Sequence, residues 1–297
     1  MKKTLAMMTA AVMVAGALAG CGSSSSTPAA TTAAATEAAT TAAATEAATT
    51  EAAGDTAAAA EGTVKTPSGK FTVGFDQEFP PMGFVGDDGQ FTGFDLDLAT
   101  EVASRLGLEF VPQPINWDAK DMELDSGNID CIWNGFTMQG REDDYTWVGP
   151  YMANNQVFVV TADSDIASKA DLAGKAVEVQ KDSSGLAALQ GEAELSASFG
   201  SMTEVADYNT ALMDLESGAC DAVCMDSIVA GYQIKSSGKD MKILDDTLSA
   251  EEYGIGFKKG EDELAKAVHD TLMEMKDDGT IAKISNDWFG SDVFTLK

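Results

Sequence analysis

The chain has 297 residues, a length that suits two domains, and 44% of them are hydrophobic, enough for a large core. Its 19 Lys and Arg against 48 Asp and Glu give a net charge of −29. That balance argues against a nucleic-acid partner, which needs clustered cations, and describes a soluble, non-sticky surface.

The first twenty residues read as a secretory signal. Lys2 and Lys3 are followed by an apolar run from Leu5 to Ala19 that is too short and Ala-rich for a spanning helix. The run ends in Leu18-Ala19-Gly20-Cys21, which resembles the lipobox of bacterial lipoproteins. The resemblance implies a diacylglyceryl group on Cys21, and two acyl chains suffice for stable anchoring. Residues 21–66 are mostly Ser, Thr, Ala and Glu with scarcely a large apolar residue, and Thr32–Thr40 (TAAATEAAT) is repeated at Thr41–Thr49. Such a segment buries too little surface to offset its ordering entropy, so it reads as a disordered tether spanning roughly 35–40 Å.

The folded body begins near Pro67. Lys70–Phe75 predicts a strand, and Gly86–Gly89 a turn. Asp95 is placed to cap a helix through Leu96, Ala99, Val102, Ala103 and Leu106, which Gly107 ends. A strand over Phe110–Ile115, a short helix through Met122 and Leu124, and a strand over Ile129–Trp133 follow. Strands alternating with helices indicate an α/β fold with a largely parallel sheet.

The plan then recurs. Met122–Asp130 (MELDSGNID) matches Met213–Asp221 (MDLESGACD) at a constant offset of 91, with a helix-ending Gly and a strand-opening Asp in each copy. Two similar lobes are the economical reading: residues 67–155 plus 250–297, and residues 156–249. They would be joined by crossing segments near Met152–Phe158 and Asp245–Tyr253. A C-terminal helix carries Leu264, Val268, Leu272 and Met275; His269, the single histidine, faces polar neighbours on it. After signal removal Cys131, Cys220 and Cys224 remain, an odd count that argues against a complete disulfide framework and has no zinc-type spacing. Cys131 and Cys224, in apolar strand-like runs, read as packed free thiols, and a Cys220–Cys224 bridge would have to span residues four apart, too distant on an extended strand.

Ligands of parallel α/β sheets bind beyond the carboxyl ends of the strands. Those positions supply Asp76, Glu78 and Phe79; then Asn134, Gly135 and Thr137 with Arg141; then Gln180 to Gly185; then Asp226. A fixed guanidinium suits a carboxylate and an Asp suits an ammonium, so the set fits a zwitterion, with Phe79 and Trp117 as aromatic cover.

Residues 69–297 resemble the periplasmic-type amino-acid-binding proteins, the solute-binding components of polar amino-acid ABC importers. The carrying features are Val73–Pro81 (VGFDQEFPP), Gly93–Leu98 (GFDLDL), Gly135-Phe-Thr137 with Arg141, and Val223–Asp226 (VCMD). The resemblance implies the two-lobed type II periplasmic-binding-protein fold. Arg141 would hold the ligand α-carboxylate, with backbone amides at Thr137 and Ser183. Asp226 would hold the α-ammonium, helped by the Gly135 carbonyl and Thr137 hydroxyl; Asp76 would face the side-chain pocket. Where the family loop is often rich in Gly, Thr and Ser, this chain has Lys181-Asp182. The implied function is capture of a free amino acid outside the cell, on the outer face of the cytoplasmic membrane, by a monomer that delivers it to ABC permease subunits. The only membrane contact would be the lipid anchor, and no metal or organic cofactor is implied. Rivals on the same scaffold are a small-carboxylic-acid dehydratase using Glu78 or Asp76, and an amino-acid sensor.

Overall fold

The computed structural model describes Thr66 and residues 68–297; the signal segment, Cys21 and the tether lie outside them. Among the described residues no helix is long and apolar enough to cross a membrane.

The chain opens with β1 (Lys70–Phe75) and a small antiparallel sheet of β2 (Glu78–Phe79), β3 (Gly83–Val85) and β4 (Phe91–Thr92). Helix α1 (Phe94–Leu106), β5 (Glu109–Pro114), α2 (Lys120–Ser126) and β6 (Cys131–Thr137) complete a first half. The long β7 (Tyr145–Thr161) leads out of it. The second half holds β8 (Ala176–Gln180), α3 (Ser184–Gly191), α4 (Ala193–Ser198), β9 (Ser201–Val205) and α5 (Tyr208–Ser217). It ends with β10 (Ala222–Asp226), α6 (Ser227–Ser237) and β11 (Met241–Ile243). Then β12 (Ser249–Lys258) returns to α7 (Asp262–Asp277) and α8 (Thr280–Phe289). Both final helices pack on α1, with Phe94 and Phe289 edge to face at 5.1 Å, so the chain ends on the half where it began.

The main sheet runs β5-β1-β6-β12-β7-β10-β8-β9, with β11 on β7. The triplets β5-β1-β6 and β10-β8-β9 are each parallel, and the antiparallel pair β7/β12 joins them. This is the expected α/β architecture of two similar blocks. Asn154 pairs with Glu251 and Asn155 with Ala250, inside both spans expected to connect the lobes. The central β6 is buried along its whole length, as a parallel strand covered on both faces must be.

The 91-residue repeat is a repeat of structure. Gly127 and Gly218 end α2 and α5 at φ 75° and 77°, the left-handed conformation that glycine adopts without steric cost. Leu124 and Leu215 point inward while Met122 and Met213 stay exposed. Each copy then uses its Asp in the same way. Asp130 accepts the Thr72 N–H at 2.6 Å and returns its own N–H to the Thr72 carbonyl at 2.8 Å. Asp221 accepts the Ala176 N–H at 2.8 Å and likewise returns its N–H to Ala176 at 2.8 Å. One aspartate per lobe therefore fixes the register of a new strand against its neighbour.

Two expectations change. Helix α1 starts at Phe94 after Gly93, so Asp95 does not cap it; Asp95 lies in its first turn, fully buried. A Cβ at Gly93, whose φ is 147°, would stand 2.3 Å from the Met82 carbonyl oxygen, which excludes any capping side chain there. The strand expected at Ile129–Trp133 instead runs from Cys131 to Thr137. The three cysteines are free and buried, packed as small hydrophobes.

Replacing Asp130 by Ala should cost about 1–2 kcal/mol in urea unfolding, and Asp221→Ala, whose bond is exposed, about 0.5–1 kcal/mol. Equal and negligible shifts in the unfolding midpoint for both variants would remove these aspartates from the account of register.

Candidate functional site

A cavity of about 10 Å³ lies between the two halves, lined by Phe79, Trp117, Gly135, Thr137, Arg141, Gln180, Ser183, Ser184 and Asp226. Of the nine residues singled out in the sequence, seven line it. Asp76 lines the adjoining cleft, and Asn134 stands behind the wall, accepting the Asp76 N–H at 3.0 Å. The extension of β6 explains the last placement. Alternation along a strand turns Gly135 and Thr137 to one face and Asn134 to the other.

Arg141 stacks on Phe136 at 5.1 Å and donates only to carbonyls, that of Thr137 at 3.2 Å and that of Asp182 at 3.3 Å. Among the described residues no carboxylate pairs with it. Asp226 closes β10 at the N-cap position of α6 but makes no capping bond. Its buried carboxylate instead accepts from Asn154 at 2.7 Å, Tyr253 at 2.8 Å and Tyr208 at 3.2 Å, all neutral groups. Ser183 caps α3 by accepting the Leu186 N–H at 3.1 Å.

Sequence reasoning missed a second layer. Glu251 of β12 is buried beneath the cavity and accepts from Asn154 at 2.6 Å and Gln156 at 2.9 Å. The visible signal was the polar triplet Asn154-Asn155-Gln156 in an otherwise largely apolar strand, but its partner is 97 residues away. Asp95 anchors the carboxyl end of β6: it accepts the Gly135 N–H at 2.7 Å and the Tyr151 hydroxyl at 2.8 Å. Gly135 has φ 57°, so glycine is required where β6 bends.

The halves meet around this cavity through polar bonds. Lys120, fully buried on α2, reaches the Asp182 carboxylate, and Thr137 donates to Ser184 at 3.2 Å. Gln180 donates to Asp76 at 2.7 Å, and Asn209 to Glu78. Asp182 has φ 53°, a left-handed conformation that glycine prefers and Asp tolerates, which is why a glycine-rich loop could be replaced here by Lys181-Asp182.

Residues 71–291 match the family model described as bacterial extracellular solute-binding proteins, family 3. The chain is 32% identical over 231 residues to the L-cystine-binding protein TcyJ of Escherichia coli strain K12, covering 76% of this chain and 84% of that protein. It is 33% identical over 229 residues to the L-cystine-binding protein TcyA of Bacillus subtilis, covering 76% and 83%. Among solved structures, an ABC uptake transporter substrate-binding protein from Streptococcus pneumoniae with bound histidine superposes with a TM-score of 0.74. It shares 35% identity, and the match covers 77% of this chain and 95% of that one.

Burial gives the site its titration behaviour. Desolvation pushes Asp76 up to about 6 and Asp95 up to about 7, and it raises Asp226 further with help from the Glu251 charge. The folded protein therefore holds protons that the unfolded chain has released, and stability falls as the pH rises from about 4 to about 7. Asp278, held down to about 2 by Thr280 and Arg105, acts in the opposite sense only below about pH 4. The ligand-free protein should melt at a higher temperature near pH 5 than near pH 8, and Asp95→Asn should flatten that slope. A melting temperature that climbs across the interval would contradict the linkage.

Proposed function

Because the chain belongs to the bacterial extracellular solute-binding proteins of family 3, we propose that it captures a free polar amino acid outside the cell and delivers it to the permease of an ABC importer. The observation that carries this reading is a guanidinium and a buried carboxyl group in one cavity, neither with a counter-charge from the protein. Arg141 has no carboxylate partner among the described residues, and Asp226 accepts only from neutral groups. A zwitterion supplies both missing partners at once, a carboxylate for the bidentate guanidinium and an ammonium for the aspartate.

In this reading the Ser183 backbone amide and the Thr137 amide assist Arg141, the Gly135 carbonyl and Thr137 hydroxyl assist Asp226, and Phe79 and Trp117 cover the aliphatic part. Asp76 meets the side chain. Arg141 and Thr137 come from the half that begins the chain, and Asp226 and Ser183 from the other, so ligand binding and lobe closure are one event. The lobe boundaries are residues 67–155 plus 250–297, and 156–249. The names of the relatives, binding proteins for cystine and histidine, support a carrier rather than a catalyst. The mature protein is a monomer held at the outer face of the cytoplasmic membrane by acyl chains on Cys21, with residues 21–66 as its tether.

A calorimetric screen of the twenty amino acids with cystine and ornithine tests the reading, with micromolar binding, about −8 kcal/mol, expected for the best ligand. Arg141→Ala should weaken that ligand by about 3 kcal/mol, and Asp226→Asn by a similar amount. Full affinity in either variant rejects the zwitterion. Since an ammonium requires the Asp226 carboxylate form, affinity should rise from about pH 5 to about pH 8 with release of a proton. Titrations in buffers of different ionisation enthalpy would reveal that proton, and identical heats in all of them would argue against it.

A further inference from the structure

A second carboxyl group stands behind the cavity, and the zwitterion reading leaves it unused. Glu251 is 5% exposed and shares a partner with Asp226, itself 3% exposed. That partner is one nitrogen: Asn154 Nδ2 donates to Asp226 Oδ1 at 2.7 Å and to Glu251 Oε1 at 2.6 Å. The amide is held in this orientation, because its oxygen accepts from the Ser227 hydroxyl at 3.1 Å and from the Ile228 N–H at 3.3 Å at the start of α6. Among the described residues neither acid has a cation paired with it. Two buried acids gathered on one nitrogen cannot both be charged at low cost.

The ionisable groups facing Glu251 are Asp226 and Cys224 of β10 and Tyr253 of its own strand, with Tyr208 of α5 bonded to Asp226. Burial first, and the neighbouring acids next, push the Cys224 thiol and both phenols well above their ordinary ranges, so these three stay neutral. Strand β7 and helix α3 present the neutral Asn154, Gln156 and Ser184. Arg141, the cation of the cavity, donates to carbonyls instead. Proton exchange here is thereby confined to the two carboxyl groups. Gln156 has room for that proton: its nitrogen donates to Glu251 Oε1 at 2.9 Å, while its oxygen is buried and receives no donor among the described residues. A spare acceptor in that amide suits a carboxyl O–H.

We propose that Glu251 is a positioning residue of the site: it shares one proton with Asp226 while the site is empty, and binding exchanges that proton for the ammonium of the amino acid. The proton leaves to solvent, and the buried charge stays the same, two carboxylates offset once by a proton and once by an ammonium. At neutral and higher pH Glu251 adds a second negative charge to the one that Asp226 offers the ligand. In acid the expelled proton loses the same attraction that the ammonium gains, and the two cancel. This rests on the amino-acid reading above and gives a role to a residue outside the cavity wall.

Calorimetry of the full chain tests this, with L-arginine and L-glutamine as probes and, should neither bind, the tightest amino acid of the screen. Glu251→Gln keeps the shape and still accepts from Asn154. It should bind as tightly as the unaltered protein near pH 5 and about tenfold more weakly near pH 8, with fewer protons released per bound probe. Glu251→Asp keeps the acid and should restore both the rise in affinity with pH and the release. The titration of Asp76 is common to all three proteins and cancels in the comparison. The unaltered protein alone should release a proton near pH 7.5, above the range of Asp76 at about 6, a readout that stands even if the amide variant does not fold. Binding without that release, or a Glu251→Gln profile that is unchanged or weaker by one factor at every pH, overturns the role of Glu251 and leaves the amino-acid reading intact. Failure of every amino acid of the screen to bind the unaltered protein overturns that reading itself.

Discussion

A guanidinium and a buried carboxyl group face one small space, and the protein gives neither a counter-charge. Arg141 is held by backbone carbonyls and an aromatic face, Asp226 by two tyrosine hydroxyls and an amide. Burying a carboxylate without a cation is costly, and Glu251 adds a second beneath it. The cost is kept tolerable by hydrogen bonds from neutral donors and by proton uptake, and the ammonium proposed to bind there would remove it. The chain therefore keeps its least comfortable electrostatics at the point where the two halves meet.

The supports of this arrangement lie in elements distant in sequence. Asn154 bonds to both Asp226 and Glu251, so the strand pair that links the halves also carries the floor of the site. Asp95 holds the Gly135 amide and the Tyr151 hydroxyl, tying helix α1, β7 and the carboxyl end of β6 into one unit. Lys120 reaches across to Asp182, whose carbonyl also receives Arg141. A change at the floor is thus felt at the rim through a few short bonds rather than through bulk packing.

Much of this was legible in the sequence because it is local. Helix periodicity, the Gly after each helix and the paired SG-x-x-D motif fix the α/β plan and the internal repeat, and the residues following each strand supply Arg141, Thr137, Ser183 and Asp226. What escaped was set by tertiary contacts. Asp95 has the look of a helix cap, yet the chain enters α1 through a glycine so close to Met82 that the cap position holds no side chain. Asn134 follows an apparent strand end, but four more residues of strand turn it away from the cavity. Glu251 and Tyr253 become part of the site only through the pairing of β12 with β7, which no short window contains.

The three described thiols bear on how the sheet withstands oxidation. Cys224 sits two residues from Asp226, and burial pushes its thiol, like those of Cys131 and Cys220, upward. Exchange with a disulfide requires a thiolate with access to sulfur, and these groups have neither the charge nor the exposure. Oxidants in the surrounding solution would therefore leave the sheet unmodified.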